Sequence, residues 1–256
     1  MRKGILFLNG SLGLNVLNFI LNSNKIKLLC LVINEPTKRT ANLVEAIQNT
    51  LKKNDLNIPI YEYQKNLWTQ TEFNQNIKFL DFGVSALFGH KIPMESEAFS
   101  AIRILNLHPS LLPLGKGADP IPWSIIEKRD QGVTIHEVDS NIDTGPTIYQ
   151  EKIMVDVSKD AGEIYEIACE KLFQIFKLIL DDWLNGKIEG KPQIGHGTLH
   201  ESSELRKVRI RLQEDATDFE QFIRMIKALT YSDGRKAILK LSDGQSWEVQ
   251  ICMRKI

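Results

Sequence analysis

The chain has 256 residues, of which 43% are hydrophobic and 25% are charged, the composition of an ordinary globular protein. Lysine and arginine together number 32, as do aspartate and glutamate, so the formal net charge is zero. A dedicated nucleic-acid-binding protein usually carries a basic excess, so this balance argues against one. The nearest approach to a basic stripe is 204–213, "ELRKVRIRLQ", whose alternation predicts a strand with a solvated charged face.

The cysteines and the apolar runs bear on the cellular location. Cys30, Cys169 and Cys252 are far apart and have apolar neighbours, which argues against a disulfide framework or a zinc site and favours a reducing cytoplasm. The apolar run near the start is short and predicts a buried strand rather than a signal peptide. The longest apolar stretch, 165–184, contains too many charged residues to span a bilayer. We therefore expect a cytoplasmic protein without a membrane segment.

Apolar runs alternate with helical patterns through the first half of the chain. Strands are predicted at 3–8, 25–33, 58–64, 81–87 and 103–108, and helices at about 14–21 and 41–53. This alternation predicts an α/β fold, a Rossmann-like and mostly parallel sheet with helices on both faces. Ligands bind to such sheets outside the carboxyl ends of the strands.

The second half of the chain begins with two alternating runs, 132–139 and 147–156, which predict an antiparallel pair at the sheet edge. A long helix over 161–184 is expected to bury one face, formed by Ile164, Ala168, Leu172, Ile175 and Ile179. A strand near 207–212, a helix over 217–229, and strands at 236–241 and 246–252 joined by a turn at 242–245 then predict a small C-terminal α+β unit. We expect two domains, 1–195 and 196–256.

Polar side chains close the fifth predicted strand, in "NLHPSLLP" (106–113). Asn106 and His108 are two positions apart and so lie on the same side of the strand. Asp143 follows a later strand in a Gly-bounded loop, where it could be carried back toward the histidine. Singly, these residues could be a cap, a core histidine and a turn former. Together, two donors for an oxyanion and a carboxylate that moves a proton predict acyl transfer to an amine.

The same residues carry a resemblance to a known family. The runs "ILNLHPSLLP" and "GVTIHEVDSNIDTGPTIYQEKIMV" resemble the formyltransferases that use N10-formyltetrahydrofolate, with a dense match over about 81–156 and a weaker one over 1–80. The resemblance implies that 1–195 is the catalytic domain and that Asn106, His108 and Asp143 are the catalytic residues. The Asn and His would stabilise a tetrahedral intermediate, and the Asp would support the His and proton transfer through ordered water. No metal is implied.

The resemblance also implies where the formyl donor binds. The implied cofactor-binding residues are Phe88, Gly89, His90, Lys91, Ile92, Val138 and Asp139. From the residues alone, 86–93 could equally be a buried strand leaving the sheet. Thr134 and His136 match secondary positions near the site, although a strand Thr and His facing solvent would look the same.

The acceptor is implied by two further segments. "GKGADPIPWSIIE" (115–127) and the tail 218–251 are similar to the branch that formylates amino-deoxysugars linked to UDP or dTDP. The implied substrate contacts are Ser110, Lys116, Gly117 and Trp123. Trp123 could instead be a core aromatic at the start of a helix, and Lys116 and Arg235 are candidate diphosphate contacts by charge alone. Family members are often dimers, so the resemblance allows a homodimer.

Three alternatives stay open. The methionyl-tRNA branch is longer and has a basic linker, whereas this chain is neutral. The glycinamide ribonucleotide branch is shorter and opens with Gly-Asn-Gly-Ser-Asn, whereas "LNGSLGLN" (8–15) lacks the Asn after Ser. A non-catalytic folate- or nucleotide-binding module would have little reason to keep all three polar residues. The tail also departs from the sugar branch, because 232–235 read "SDGR" where Pro and Tyr are common.

Overall fold

The computed structural model describes residues 1–23, 25–35, 41–210, 218–231, 234–240 and 243–253. The chain divides into two compact units. The first comprises Met1–His108, Ile135–Tyr149 and Leu172–Gln193, and the second comprises Pro109–Thr134, Gln150–Lys171 and Ile194–Ile256. The domain boundary expected after residue 195 stays a prediction.

A seven-stranded sheet is the main element of the fold. Its strands are β1 (Arg2–Leu8), β2 (Ile26–Ile33), β3 (Ile60–Glu62), β4 (Phe82–Ala86), β5 (Arg103–His108), β7 (Gly132–Glu137) and β8 (Thr147–Lys152), and the short β6 (Lys116–Gly117) lies elsewhere. The order across the sheet is β3-β2-β1-β4-β5-β7-β8. The first five strands run parallel. The prediction of a mostly parallel, Rossmann-like sheet is confirmed.

The last two strands of the sheet run against their neighbours. The Val138 amide donates to the Ile104 carbonyl at 2.8 Å, while the side chains of Asn106 and His136 meet at 3.0 Å. The residue numbers on β7 thus decrease as those of their partners on β5 increase, so β7 is antiparallel to β5. The bonds from the Glu137 amide to Pro146 and from the Ile153 amide to Gln131 show the same pattern between β7 and β8. The antiparallel pair predicted at the sheet edge is confirmed.

The strands read as continuous apolar runs because both faces of the sheet are covered. In β1, Leu6 and Leu8 point to the face of α1 (Gly10–Leu21), where a Cβ on Gly13 would lie 3.1 Å from the Leu8 Cβ. Ile5 and Phe7 belong to a cluster on the opposite face. Leu67 joins this cluster from the 3-10 turn Leu67–Thr69, Phe73 from the short helix α3 (Thr71–Asn76), and Ile77 from the residue that follows α3. Helices therefore cover both faces, as predicted.

Two longer helices have the bounds that their periodicity predicts. α2 covers Ala41–Lys53 and α5 covers Ala161–Leu184. The predicted inward face of α5 is buried at every position, with Ile164, Ala168, Leu172, Ile175 and Ile179 all at most 7% exposed. Within the described part of the chain, no helix is both long enough and apolar enough to cross a bilayer.

The second unit has a core of its own. Its helices are α4 (Pro120–Ile126), α6 (Ser202–Ile210) and α7 (Phe219–Ala228), and its strands are the parallel pair β6 and β9 (Leu199–His200) and the antiparallel pair β10 (Ala237–Lys240) and β11 (Ser246–Val249). The buried cluster comprises Trp123, Leu205, Met225, Ile226, Leu229 and Ala237. The predicted C-terminal helix and its two strands are confirmed.

The strand predicted near 207–212 is wrong. Residues 202–210 form α6, and 211–217 lie outside the described residues, as do 232–233 and part of the predicted turn at 242–245. Leu205 and Val208 both pack on the cluster around Trp123, and their spacing of three residues is helical rather than extended. Residues 202–210 therefore form an amphipathic helix, and the charged residues of the alternating run belong to it rather than to a strand.

Candidate active site

The three sequence-predicted catalytic side chains lie together in the first unit. The Asn106 Nδ2 donates to Asp143 Oδ1 at 3.2 Å, and His108 Nδ1 lies 3.6 Å from Asp143 Oδ2. The side chains of His108 and Asp143 are only 7% and 14% exposed. A carboxylate with so little water around it depends on these polar contacts for its stabilisation. The convergence predicted from the sequence is therefore present.

Asp143 reaches β5 through a returning loop. Because β7 is antiparallel to β5, it ends level with Ile104, and the loop 138–146 must come back along the sheet. Asp143 itself is in the left-handed conformation, with φ of 52°, which Asp tolerates better than most residues. Asp139 braces the loop from within, since its carboxylate accepts from Thr144 Oγ1 at 2.7 Å and from the Asn141 amide at 3.0 Å.

His136 joins the cluster from β7 and fixes the orientation of Asn106. Its Nδ1 lies 2.8 Å from the Glu137 carbonyl oxygen, which can only accept, so Nδ1 carries the proton. The neutral ring then accepts at Nε2 from the Asn106 Nδ2, 3.0 Å away. Both amide hydrogens of Asn106 thus face acceptors, one on His136 and one on Asp143. Thr134 and His136 are fully buried, so the alternative of a solvent-facing pair is excluded.

Sequence reasoning missed Gln193, which contacts the Asp143 loop from outside. Its Nε2 donates to the carbonyl oxygens of Asp143 and Gly145, both at 2.9 Å. The residue lies beyond α5 in a Gly- and Pro-containing run that local pattern marks only as a stop. No signal in the sequence could connect it with Asp143, because the contact exists only in the tertiary structure.

The predicted donor-binding segment 88–92 follows β4 in the same unit. Ile92 is buried in the core, and the Phe88 ring lies 5.5 Å from that of Phe7. The Gly89 amide donates to Asn34 Oδ1 at 3.1 Å, and exposed Lys91 lies 3.9 Å from Glu95. Ile92 is buried, but β4 ends at Ala86, so the alternative of a strand over 86–93 is wrong.

His90 presents an aromatic ring at the end of β4. It stacks on Tyr63, with ring centres 3.7 Å apart and planes inclined by 18°. Burial lowers the pKa of His90, and the nearby carboxylate of Glu35 opposes part of that effect. Stacked rings of this kind offer a flat apolar surface. Val138 packs against the same core cluster as Phe88, so the two implied donor-binding segments share a hydrophobic support.

The four predicted substrate contacts belong to the second unit. Ser110 is buried and its Oγ donates to the Leu114 carbonyl at 2.9 Å. Lys116 and Gly117 pair with β9, and a Cβ on Gly117 would lie 2.4 Å from the His200 carbonyl oxygen. Trp123 belongs to the core cluster, which agrees with the alternative of a core aromatic.

One ring stack covers Trp123. The His200 ring lies parallel to the indole at 3.9 Å, and its Nδ1 and Nε2 lie 3.0 Å and 2.9 Å from the carboxylates of Glu204 and Glu127. Arg235, the other candidate diphosphate contact, lies over the Tyr231 ring at 3.5 Å. Both contacts tie side chains of the second unit to one another.

Metal- and thiol-based chemistry has little support among the described residues. They contain no group of three or more His, Cys, Asp or Glu side chains placed to hold a metal ion. Cys30 and Cys169 are buried free thiols, and burial raises the pKa of each to about 12, so neither is a reactive thiolate at neutral pH.

The sequence pattern of the formyl transferase family matches residues 5–176 of this chain. This match covers more than half of the chain and includes β5, β7 and the loop that carries Asp143. The protein belongs to the formyl transferase family.

Curated relatives of two kinds match the chain. The dTDP-4-amino-4,6-dideoxyglucose formyltransferase of Mycobacterium bovis is 30% identical over 157 residues, 59% of this chain and 65% of the relative. The methionyl-tRNA formyltransferase of Mycoplasma pneumoniae is 29% identical over 181 residues, 70% of this chain and 56% of the relative. The chain thus spans less than two thirds of the length of either.

Solved structures share the fold over nearly the whole chain. A 4-N formyltransferase from Francisella tularensis superposes with a TM-score of 0.81 at 22% identity, covering 100% of this chain and 99% of that one. An N-formyltransferase from Helicobacter canadensis, in complex with folinic acid and dTDP-3-aminofucose, gives a TM-score of 0.68 at 20% identity over 89% and 80% of the two chains.

Proposed function

We propose that this protein transfers the formyl group of N10-formyltetrahydrofolate to the amine of a nucleotide-linked amino-deoxysugar. The observation that carries the proposal is the cluster of Asn106, His108 and Asp143, which combines hydrogen-bond donors with a nearly buried carboxylate. The family match supports formyl transfer as the reaction. The 30% identity with a sugar-nucleotide formyltransferase supports the acceptor class.

The reaction begins with attack of the acceptor's neutral amine on the formyl carbon. A new C–N bond forms, the carbonyl π electrons move to oxygen, and a tetrahedral oxyanion results. His108 donates a hydrogen bond to that oxyanion, and its ring is oriented by the Asp143 carboxylate on the Nδ1 side. Preorganised donors of this kind stabilise the transition state because they need no rearrangement as charge develops.

Proton transfer completes the reaction. The attacking nitrogen becomes positively charged and loses a proton to Asp143 through ordered water. The oxyanion electrons then re-form the C=O bond as the C–N10 bond breaks, and N10 takes the proton from Asp143 through water, so that a formamide and tetrahydrofolate are the products and the carboxylate is regenerated. Asp143 suits this role because it is a nearly buried carboxylate beside two oxyanion donors.

Asn106 is the second proposed oxyanion donor, and its contacts impose a condition. Both of its amide hydrogens face acceptors in the unliganded protein. One contact must therefore open when the formyl oxygen arrives. We assign this to the 3.2 Å bond with Asp143, which is longer than the 3.0 Å contact with His136.

The pterin of the donor is proposed to bind at residues 88–92, beside Val138 and Asp139. The stacked rings of Tyr63 and His90 and the neighbouring Phe88 offer the flat apolar surface that a pterin needs. The complex of the Helicobacter canadensis enzyme with folinic acid supports a folate donor for this fold. The donor itself brings the activated formyl group, and the residues named above position it.

The acceptor contacts are proposed at Ser110, Lys116, Gly117 and Trp123, with a dTDP- or UDP-linked sugar as ligand. The dTDP-linked ligand of the Helicobacter canadensis enzyme supports a nucleotide sugar. The neutral net charge disfavours tRNA as the acceptor. We place the reaction in the cytoplasm, in agreement with three free cysteines, and propose a homodimer as the functional form.

The test is an acceptor panel. The protein is incubated with N10-formyltetrahydrofolate and with dTDP- and UDP-linked amino sugars, glycinamide ribonucleotide or methionyl-tRNA, and the products are identified by mass spectrometry. A mass gain of one CO on an amino-sugar nucleotide supports the proposal. Formylation of only the ribonucleotide or the tRNA would reject the acceptor, and formylation of nothing would reject the activity.

A further inference from the structure

We propose that Gln193 is a positioning residue for formyl transfer, which holds the Asp143 carboxylate in place through the backbone of its loop. This inference rests on the proposed function of Asp143. It assigns a role to a residue that touches neither reacting group. Its Nε2 donates to the carbonyl oxygens of Asp143 and Gly145, both at 2.9 Å.

The loop needs external support at these two carbonyls. Asp143 has a φ of 52°, a conformation that is costly for a residue with a side chain. The internal brace, formed by Asp139 with Thr144 and Asn141, holds the loop's flanks and does not contact the Asp143 backbone oxygen. Gln193 makes that contact. By bonding to the carbonyls on both sides of Thr144, it fixes the peptide units that set the direction of the Asp143 side chain.

The segment that carries Gln193 is itself anchored. Thr147 and Lys191 exchange two backbone hydrogen bonds of 2.8 Å and 2.9 Å, which attach the segment to the start of β8. Gly190 lies against Pro146, where a Cβ would approach the proline ring to 2.5 Å. The backbone at 190–191 is thus docked on 146–147, two residues from Gln193. The carboxamide reaches the Asp143 loop from a fixed base rather than from a loose end.

The chemistry of the carboxamide explains why a Gln serves here. Two carbonyl acceptors at a single point need one nitrogen with two hydrogens, which the Gln amide supplies without a charge. The opposite flip would place Oε1 against both carbonyl oxygens. In the observed orientation Oε1 is buried and has no hydrogen-bond partner among the described groups, an unfavourable arrangement. The two donated bonds offset that cost. The carboxamide of Gln193 therefore takes this orientation because of the two loop carbonyls that it contacts.

Three variants at this position test the assignment. Gln193→Met keeps the volume and removes both donors, and Gln193→Glu places a carboxylate oxygen against the two carbonyls. Gln193→Lys restores N–H donors on a longer stem. We expect Gln193→Met to lower kcat about 10- to 100-fold, as misplacement of a catalytic group does, while KM for donor and acceptor stays within about twofold. Gln193→Lys is expected to recover part of the loss.

Gln131→Met is the matched control. Gln131 is a buried carboxamide, and its Oε1 accepts from Ser124 Oγ at 2.7 Å in the second unit, with no contact to Asp143. It should lower the melting temperature like Gln193→Met but leave kcat near the wild-type value. An equal fall in kcat for the two variants, or parallel changes in kcat and KM at Gln193, would mean a merely structural role.

A structural measurement separates this inference from the proposed function. The crystal structure of unliganded Gln193→Met, or of Gln193→Glu if the first variant does not fold, should show the Asp143 carboxylate moved away from His108 Nδ1. A carboxylate still at its wild-type position would overturn the inference. Failure of the wild-type protein to formylate any acceptor would instead reject the proposed function, and the crystal structure would still decide the role of Gln193.

Discussion

The carboxylate of Asp143 lies between two histidines, with Oδ2 at 3.6 Å from His108 Nδ1 and Oδ1 at 3.5 Å from His136 Nε2. The two rings are not equivalent. The Glu137 carbonyl fixes the tautomer of His136 and Asn106 occupies its Nε2, so His136 acts on Asn106. His108, whose Nδ1 faces Asp143 Oδ2, is the ring assigned to the oxyanion.

Asp143→Asn keeps the shape of the side chain and removes its charge and its capacity to take a proton. We expect kcat for formyl transfer to fall about 10²- to 10⁴-fold, the usual effect of losing a general base. Donor and acceptor binding should change little, because Asn keeps the shape of the side chain, which lies against Asn106 and His108. Steady-state kinetics with both substrates varied measure this. Turnover near that of the wild type would remove Asp143 from the mechanism.

His108→Ala removes the proposed oxyanion donor. Loss of one such donor commonly costs about 10²-fold or more in kcat. The matched comparison is His90→Ala, which removes a ring stacked on Tyr63 and should act mainly through the KM for the folate donor. If His108→Ala changed KM alone, the residue would be a binding contact and the oxyanion assignment would be wrong.

Gly145→Ala tests how tightly the Asp143 loop is packed. A Cβ at this position would lie 1.8 Å from the Glu137 carbonyl oxygen, so the backbone must move. We expect the free energy of unfolding to fall by about 1–3 kcal/mol, as for other overpacked sites, together with a large loss of activity.

Gly186→Ala provides the contrast, measured by the same denaturant unfolding and activity assays. Gly186 also departs from ordinary backbone, with φ of 68°, but has nothing within 4 Å of an added Cβ. Its substitution should cost about 1–2 kcal/mol through backbone strain alone and spare activity. Equal activity losses in the two variants would argue against the close approach at Gly145.

The stability of the protein should depend on pH through His90. Burial lowers its folded-state pKa below the ordinary value of 6.5. Below pH 6.5 the unfolded chain therefore binds a proton that the folded protein does not, and the free energy of unfolding falls as the pH falls. His90→Phe keeps an aromatic ring beside Tyr63 and removes the titration. Denaturant unfolding at pH 7.5 and pH 5.5 should show a smaller loss in the variant, and an equal loss would contradict the assignment.

Much of the fold was predictable because its signals are local. The bounds of β5, α2 and α5 follow from apolar runs and helical spacing, and α5 buries the predicted face. The error at α6 arose because this short segment has few apolar residues that mark the helical spacing. Leu205 and Val208 mark it, but the charged and apolar residues around them also alternate as in a strand. A short segment of this kind acquires its structure from the cluster on which it packs.

In the candidate site, too, the features with a local sequence signal were predictable and those that depend on tertiary contacts were not. Asn106 and His108 are neighbours on one strand, and the motif made Asp143 the third member. The contact of Gln193 could not be predicted, since only the tertiary structure brings it to the Asp143 loop. The neutral His136 tautomer could not be predicted either, because it depends on the direction in which the ring faces the adjacent Glu137 carbonyl. Ser110 and Trp123 stay predictions as substrate contacts. In the unliganded protein the Oγ of Ser110 bonds to the Leu114 carbonyl and the indole packs in the core.

The most direct test of the central claim follows the formyl carbon itself. N10-formyltetrahydrofolate with an isotope-labelled formyl group is incubated with dTDP-4-amino-4,6-dideoxyglucose and related dTDP- and UDP-linked amino sugars, using the wild-type protein and Asp143→Asn. The account predicts label in the formamide of one of these sugars, at a rate that collapses in the variant. Label found only in free formate or on another amine, or equal rates for the two proteins, would contradict it.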